Sequence, residues 1–514
     1  MKTARSLTWG LAVTCLSLLL SLAYLNTLGD DSFIYRRLIE NFLQSGRIEY
    51  NPGEPCYAMT SATYFFLMSA LTGGFGWNIA RYLISPLSHL FAAWALFGLG
   101  SRLIRRRALL VVVLAAVLFD PFYLRWFWAG WEMSFKIGAA ALALWLLLIA
   151  GEKGGWKPAA LAGLAMAFAV LTRPEMMFLA VLGAVYLTAR RLPASMGRVA
   201  AGLAGYTGAV LAGILPWMLF ARAYFGWALP HTVYAKASGV MTWTYLTSYG
   251  LRFLQILVVP AFPLYLALLV AAAVFCWKRP WKQNPSWWRN PDPRDFLLVA
   301  VWGATVAGYL VRGVYIDGIK LGMFSPFILL SVGGLLDVAL RALRQDWFDG
   351  RRTFLWIAAL LAISVGIQSR IYYRFSSWVP QYAQGDDARF IAFAKRIREQ
   401  TPPDARIGTW ELGVVGYFSE RYMIDYVGLA TPQIVSYLLE TGNKAKAVAL
   451  YHERHGGPAS HIVSEIRFNP EAAPEIQEFW GYPYRLIDSE RVTRIAGRAK
   501  PGEYSIYALY ERML

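Results

Sequence analysis

Cysteine is scarce: the 514 residues hold three, Cys15, Cys56 and Cys276. None follows Cys276, so any folded domain at the C-terminal end stands without an internal disulfide. Histidine is also rare, and the separations of His452, His455 and His461 do not make a zinc site. The glycines form neither a dinucleotide-binding fingerprint nor a P-loop. Acidic residues are few, 32 against 50 Lys and Arg, which leaves a formal charge of +18. That excess does not indicate nucleic acid, because no zinc-finger spacing, aromatic-basic RNA motif or basic coiled coil accompanies it.

What the chain has instead is apolar sequence, 57% of its residues. Apolar runs recur near 8–26, 79–99, 108–120, 133–149, 157–171, 175–189, 199–221, 253–276, 295–311, 319–338 and 353–367. Many approach the roughly 17–25 residues that cross a bilayer. Basic clusters around Arg105, Arg190, Lys278 and Arg351 fall in alternate breaks, the positive-inside pattern, with attraction to anionic lipid as a consequence. The expectation is a polytopic α-helical membrane protein of about 11 transmembrane helices, starting inside and ending outside. The short run TSATYFFLMSALT, residues 60–72, fits an interfacial or re-entrant helix better than a crossing. MKTAR and the run behind it resemble a signal peptide, but DD follows where a cleavage site would need small residues, so an uncleaved first helix is expected. Polarity rises after residue 367, dividing a membrane domain, 1–367 with an exterior loop 27–59, from a soluble extracytoplasmic domain, 368–514.

The exterior loop carries Asp30-Asp31, with Asp31 placed to cap an amphipathic helix through Ile34, Tyr35, Leu38, Ile39 and Phe42. Gly46 and the turn NPG at 51–53 end that helix. In the soluble domain ARIGTWELGVVGYFSERYMIDYVGL reads as two short strands around a glycine-containing turn or helix start. HIVSEI and YSIYALYERML read as further strands, giving an α/β or α+β domain with no strand order.

The stretch GDDSFIYRRLIENFLQSGRIEYNPGEPCYAMTSATYFF resembles the first exterior loop of GT-C membrane glycosyltransferases, especially the arabinofuranosyltransferase-related branch. WAGWEMSF, LTRPE, YFGWALPHTVYAK and GYFSERYMIDYVGL extend the resemblance to about residue 430. It implies inverting, single-displacement transfer of a sugar from a polyprenyl-phosphate carrier. A pentose such as arabinofuranose is the nearer expectation, with hexose open, and the acceptor is a cell-envelope glycan, a lipid-linked glycan or a protein. It places the protein in a bacterial inner or cytoplasmic membrane with its site on the periplasmic or extracytoplasmic side. By the same resemblance Asp30 is the base, with Asp31 its competitor. Arg173 and Glu175 match an RPE turn, Glu132 an acidic loop position, and Lys236 the lysine of a PNTxYAK-like segment. His231 stands where that segment has asparagine.

The chemistry suits these residue types. A carboxylate takes the proton of an attacking hydroxyl, and Lys or Arg neutralises a leaving phosphate. Arg173, Glu175, Lys236 and Arg312 are therefore candidates for the donor phosphate or its surrounding network, and Glu132, His231 and Asp317 for orienting substrate. No cofactor is required by the sequence. Asp30, Asp31 and Glu132 suit Mg²⁺ or Mn²⁺ chemically, although spacing shows no oxygen shell. Each candidate has a structural counterpart: capping for Asp31, membrane-edge snorkelling for Arg173, a salt bridge for Arg312 with Asp317, and interfacial anchoring for Trp126, Trp128 and Trp131. The alternative from a different class is a transporter or flippase for a glycan or amphipathic lipid.

Overall fold

The computed structural model describes residues 2–25, 28–191, 196–235, 318–342, 387–466, 471–493 and 504–513. The expected spans 253–276, 295–311 and 353–367 lie outside these residues. Helices follow the apolar runs: α1 Lys2–Ser21, α2 Asp30–Ser45, α3 Ala62–Phe75, α4 Trp77–Leu103, α5 Arg107–Leu118 and α6 Pro121–Phe127. Then come α7 Met133–Lys153, α8 Trp156–Thr172, α9 Met177–Arg191, α10 Met196–Phe225, α11 His231–Ala235 and α12 Gly318–Ala342. Among the described residues α4, α7 and α10 are long and apolar enough to cross a membrane, and α1, α3, α5 and α8 are shorter apolar helices.

The protein is thus a polytopic, largely α-helical membrane protein. On α4, Ile79, Leu83, Leu87, Leu90 and Trp94 form an exposed apolar stripe at three- and four-residue intervals. Its opposite face, through Ala92, Leu96 and Leu99, joins α7 in the buried core. One face on protein and one on lipid accounts for that division.

The α3 helix has 14 residues, about 21 Å at 1.5 Å per residue, which is short of a crossing. Ser61 starts it, its Oγ accepting the Tyr64 N–H at 3.1 Å. The α2 helix begins two residues earlier than its capping pattern suggests. Gly29 is the cap, and both Asp30 and Asp31 sit in the first turn, favourable for acids at the positive end of the helix dipole. Gly46, at φ 70°, closes it in the left-handed conformation that glycine adopts without strain. The apolar face of α2 packs on α3, and the helix also meets the C-terminal domain.

That domain contains α13 Asp387–Gln400, β1 Arg406–Thr409, α14 Gly413–Ser419, β2 Tyr422–Asp425, α15 Pro432–Thr441, α16 Lys444–Arg454, β3 His461–Ile466, β4 Ile476–Phe479, β5 Tyr482–Thr493 and β6 Tyr504–Arg512. The strands form one mixed sheet ordered β2-β1-β3-β6-β5-β4, parallel on both sides of β1 and antiparallel from β3 onward. Alternation along the strands separates two faces. Ile407, Met423, Val463 and Leu509 share a core with α13, α14 and the first loop, while Ile424, Ile462, Ala508 and Tyr510 pack with α15 and α16. The first loop and the C-terminal sheet are therefore two sides of one hydrophobic core.

Candidate active site

The end of the first helix and the WAGWE loop are knitted together. Gly29 N–H donates to Ala129 O at 3.1 Å, and Trp128 Nε1 donates to Ser21 Oγ at 3.1 Å. Arg81, a buried cation on α4, donates from one Nη to Leu25 O at 3.2 Å and Trp128 O at 2.8 Å. Asp30 and Asp31 emerge from this platform in different circumstances. Asp30 Oδ1 accepts the Val414 N–H at 2.7 Å and Oδ2 the Gly413 N–H at 3.1 Å, across 384 and 383 residues. Burial pushes its carboxyl up to about 6; the two amides oppose the rise and the Asp31 charge adds to it. Asp31 is half-buried, and no hydrogen bond or ion pair holds its carboxylate among the described residues.

Further contacts make this junction continuous. The Tyr50 hydroxyl donates to Leu412 O at 2.7 Å. Asn51 pairs with Met423 like a strand neighbour, its Nδ2 donating to the carbonyl at 2.9 Å and its Oδ1 accepting the amide at 3.0 Å. Arg37 donates to Tyr50 O and Arg421 O, each at 3.0 Å, and also to Gly416 O. Glycines 413 and 416 permit this approach, since a Cβ on either would collide with Asp30 or the Tyr50 hydroxyl.

A second group combines charges from α7, α8 and the turn after α8. Glu132 is buried, and its Oε1 accepts from an Arg173 Nη at 2.7 Å. Arg173 Nε donates to Glu175 Oε1 at 2.7 Å. Lys136, one turn beyond Glu132, is buried as well and acts electrostatically on Glu175. Two acids and two bases balance, which lets the group persist with little water. The Tyr35 hydroxyl accepts the Ser61 N–H at 2.9 Å, and burial and the Glu132 charge both raise its pKa. Glu132 Oε2 and the Tyr64 hydroxyl are buried without a hydrogen-bond partner among the described residues.

The third group centres on His231. Its Nδ1 lies 2.9 Å from Leu429 O, and a carbonyl only accepts, so Nδ1 carries the proton and Nε2 is an acceptor. Nε2 is buried and has no hydrogen-bond partner among the described residues. Burial pushes the ring down to about 4, against a smaller upward effect of the Leu429 bond, so it is neutral at physiological pH. Asp425 shapes the loop that presents Leu429, accepting the amides of Val427 at 2.9 Å, Leu429 at 2.5 Å and Ala430 at 2.9 Å. Beside Pro230 a shallow apolar groove is lined by residues including Tyr57, Val170, Pro174, Ile214, Trp217 and Leu229. It opens next to the turn that carries Arg173 and Glu175.

The structure thus brings Glu132, Arg173 and Glu175 into one cluster, holds Asp30 against the C-terminal domain and seats His231 on that domain's loop. Lys236, Arg312 and Asp317 lie outside the described residues. Among the described residues no three His, Cys, Asp or Glu side chains make a metal-binding group. Four residues escape the motif reading: Arg37, Arg81, Lys136 and Asp425. Arg81 and Lys136 carry a visible signal, a lone cation in an apolar segment.

A family model described as a domain of unknown function, DUF8728, matches residues 379–507. No curated protein matches the chain in sequence. Among solved structures, ArnT from Cupriavidus metallidurans bound to undecaprenyl phosphate is similar with TM-score 0.54 and 14% identity, covering 98% of this chain and 97% of that one. The apo state of the same protein gives TM-score 0.53 and 14% identity, with 99% and 98% covered. The oligosaccharyltransferase of Archaeoglobus fulgidus, tethered to an acceptor peptide, gives TM-score 0.52 and 13% identity over 89% of this chain and 69% of that one. At this identity the likeness establishes shared architecture without singling out the arabinofuranosyltransferase branch, and the chain has the fold of these solved structures.

Proposed function

We propose that this protein transfers a sugar from a polyprenyl-phosphate carrier to a glycan or protein acceptor, with inversion at the anomeric carbon. The observation that carries the reading is a charge-balanced Glu132–Arg173–Glu175–Lys136 cluster beside an apolar groove at Pro174, with Gly29, next to the acidic turn, bonded to the loop that leads to Glu132. The groove's apolar lining suits contact with a polyprenyl chain along its surface, and the turn beside it suits the carrier's phosphate. ArnT was solved with undecaprenyl phosphate and the oligosaccharyltransferase with an acceptor peptide, and both precedents fit this division of labour.

In this reading the acceptor hydroxyl attacks the anomeric carbon while a carboxylate of the Asp30–Asp31 pair takes its proton. The bond from that carbon to the phosphate oxygen breaks, and its electron pair leaves on the carrier phosphate. Glu132 and Glu175 hold Arg173 in orientation, and Lys236 supplies positive charge to the leaving group, with Arg312 and Asp317 in the surrounding network. His231 Nε2 accepts a substrate hydroxyl. The first-loop motif favours a pentose donor such as arabinofuranose. The reading places eleven spans in a bacterial cytoplasmic membrane, with the acidic turn and residues 368–514 on the extracytoplasmic face.

Photo-crosslinking tests the donor half. A diazirine-bearing undecaprenyl phosphate, added to the full-length protein in nanodiscs, should label residues 170–177 or 214–218, with unlabelled undecaprenyl phosphate competing. Labelling that is spread over the lipid-facing helices and resists competition would overturn the reading.

A further inference from the structure

We infer that Asp30 is the clasp that seats the C-terminal domain on the acidic turn, and that Asp31 is the carboxylate that receives the acceptor's proton. This deepens the transfer reading above and rests on it for the role of Asp31, whereas the clasp stands on geometry alone. Both Asp30 oxygens are already accepting, one from Val414 N–H at 2.7 Å and one from Gly413 N–H at 3.1 Å. These amides open α14, where the first-turn N–H groups have no partner within the helix, so a carboxylate there satisfies donors that would otherwise be buried unpaired. Gly413 leaves no room for a side chain against Asp30, as expected of a contact built for close approach.

Asp31 follows on the same helix, and successive residues project about 100° apart, so a helix that aims Asp30 at α14 aims Asp31 elsewhere. Its carboxylate is half-buried and has no described hydrogen-bond donor to compete with an incoming hydroxyl. Proton transfer then goes from the acceptor O–H to Asp31, as the new O–C bond forms and the C–O–phosphate bond breaks. Arg37, Tyr50 and Asn51 fix the same junction around the clasp. The C-terminal domain is thereby a positioning element of the site: it holds the first turn of α2 and so fixes where Asp31 points.

Two measurements on the full-length protein in nanodiscs decide this. Hydrogen exchange of a peptide spanning 411–418 should speed up at least ~10-fold in Asp30→Ala and stay at the parent rate in Asp31→Asn. Turnover of undecaprenyl phosphate carrying a labelled pentose or hexose should fall ~100-fold or more in kcat for Asp31→Asn. Asp31→Glu should recover part of that loss. Asp30→Ala should lose less than ~10-fold, by the same general-base scale, and keep the acid limb of the pH–rate profile, which Asp31→Asn should lack. The proposal is overturned if Asp30→Ala leaves exchange unchanged. It is equally overturned if Asp30→Asn abolishes turnover with the amides still protected while Asp31→Asn turns over normally. A parent protein that consumes no donor overturns the transfer reading and the role of Asp31 with it, and the exchange result alone then decides the clasp.

Discussion

Replacing Arg37 by alanine is the sharpest perturbation of the junction between the first loop and the C-terminal domain. Its guanidinium donates to Tyr50 O at 3.0 Å within the loop, and to Arg421 O at 3.0 Å and Gly416 O across the junction. It also lies 4.4 Å over the Tyr50 ring. Hydrogen bonds from a charged donor contribute about 1.5–3 kcal/mol each when buried, and a partly exposed cation–π contact about 0.5–1 kcal/mol. Arg37 is half-buried, so water recovers part of each bond. Taking about 1 kcal/mol for each crossing bond and about 1 kcal/mol for the remaining contacts gives a loss of about 3 kcal/mol. At 1.4 kcal/mol per tenfold, the undocked population rises on the order of 100-fold.

Cys56 reports that opening. It is fully buried in the core shared by the first loop and the C-terminal sheet, and burial pushes its thiol up to about 12. A maleimide therefore reaches a reactive thiolate only after the loop opens. In a Cys15→Ser, Cys276→Ser background, Cys56 labelling in Arg37→Ala should accelerate on the order of 100-fold, the same factor as the opening equilibrium. A rate within about threefold of the parent, a change of well under 1 kcal/mol, would refute the reasoning.

Gly413→Ala should open the same junction, because the added Cβ strikes Asp30; Cys56 labelling no faster than in the parent would count against the close approach. Arg173→Met leaves the buried Glu132 carboxylate without its ion pair and should cost about 3–5 kcal/mol, whereas Glu132→Gln keeps the Arg173–Glu175 pair and should cost less. Thermal unfolding in detergent compares them, and equal melting temperatures would contradict the cluster's organisation. His231 predicts acid sensitivity: its unfolded ring takes a proton near 6.5, the folded one only near 4. The stability it contributes is present above pH 6.5 and is lost as pH falls towards 4, by about 3 kcal/mol. Asp30 runs the other way, since a carboxyl raised to about 6 favours the folded state in acid and loses that contribution as pH rises towards 6. His231→Gln should therefore lose less stability than the parent between pH 7 and 4.5, and an identical slope would reject the buried neutral ring.

Local sequence carried much of the fold because much of it is locally encoded. Hydropathy marked the membrane helices among the described residues. The spacing of Ile34, Tyr35, Leu38 and Ile39, closed by Gly46, marked α2. Alternation marked β3 and β6, whose inward residues are strongly apolar. The pair β4 and β5 was not legible, since YPYRLIDSERVT mixes charge into both faces and β4 is an exposed edge. The site was legible as a set of motifs but not as an arrangement. Nothing near Asp30 announces that its partners are amides 383 and 384 residues away, and Arg37 reads as a solvated helix face until α14 is docked on it. Asp425 is similar: it reads as part of a strand end, and its purpose is visible only once Leu429 meets His231.

The central claim is sugar transfer from a lipid carrier, and covalent product is its most direct measure. Purified full-length protein in nanodiscs should be given undecaprenyl-phosphate pentoses and hexoses with candidate glycan and peptide acceptors, and the products read by mass spectrometry. The account predicts an acceptor heavier by one sugar, formed only with donor present and favoured by a pentose. Intact donor crossing the bilayer, with no acceptor gaining mass across the panel, would contradict it and make the protein a carrier of lipid-linked sugar.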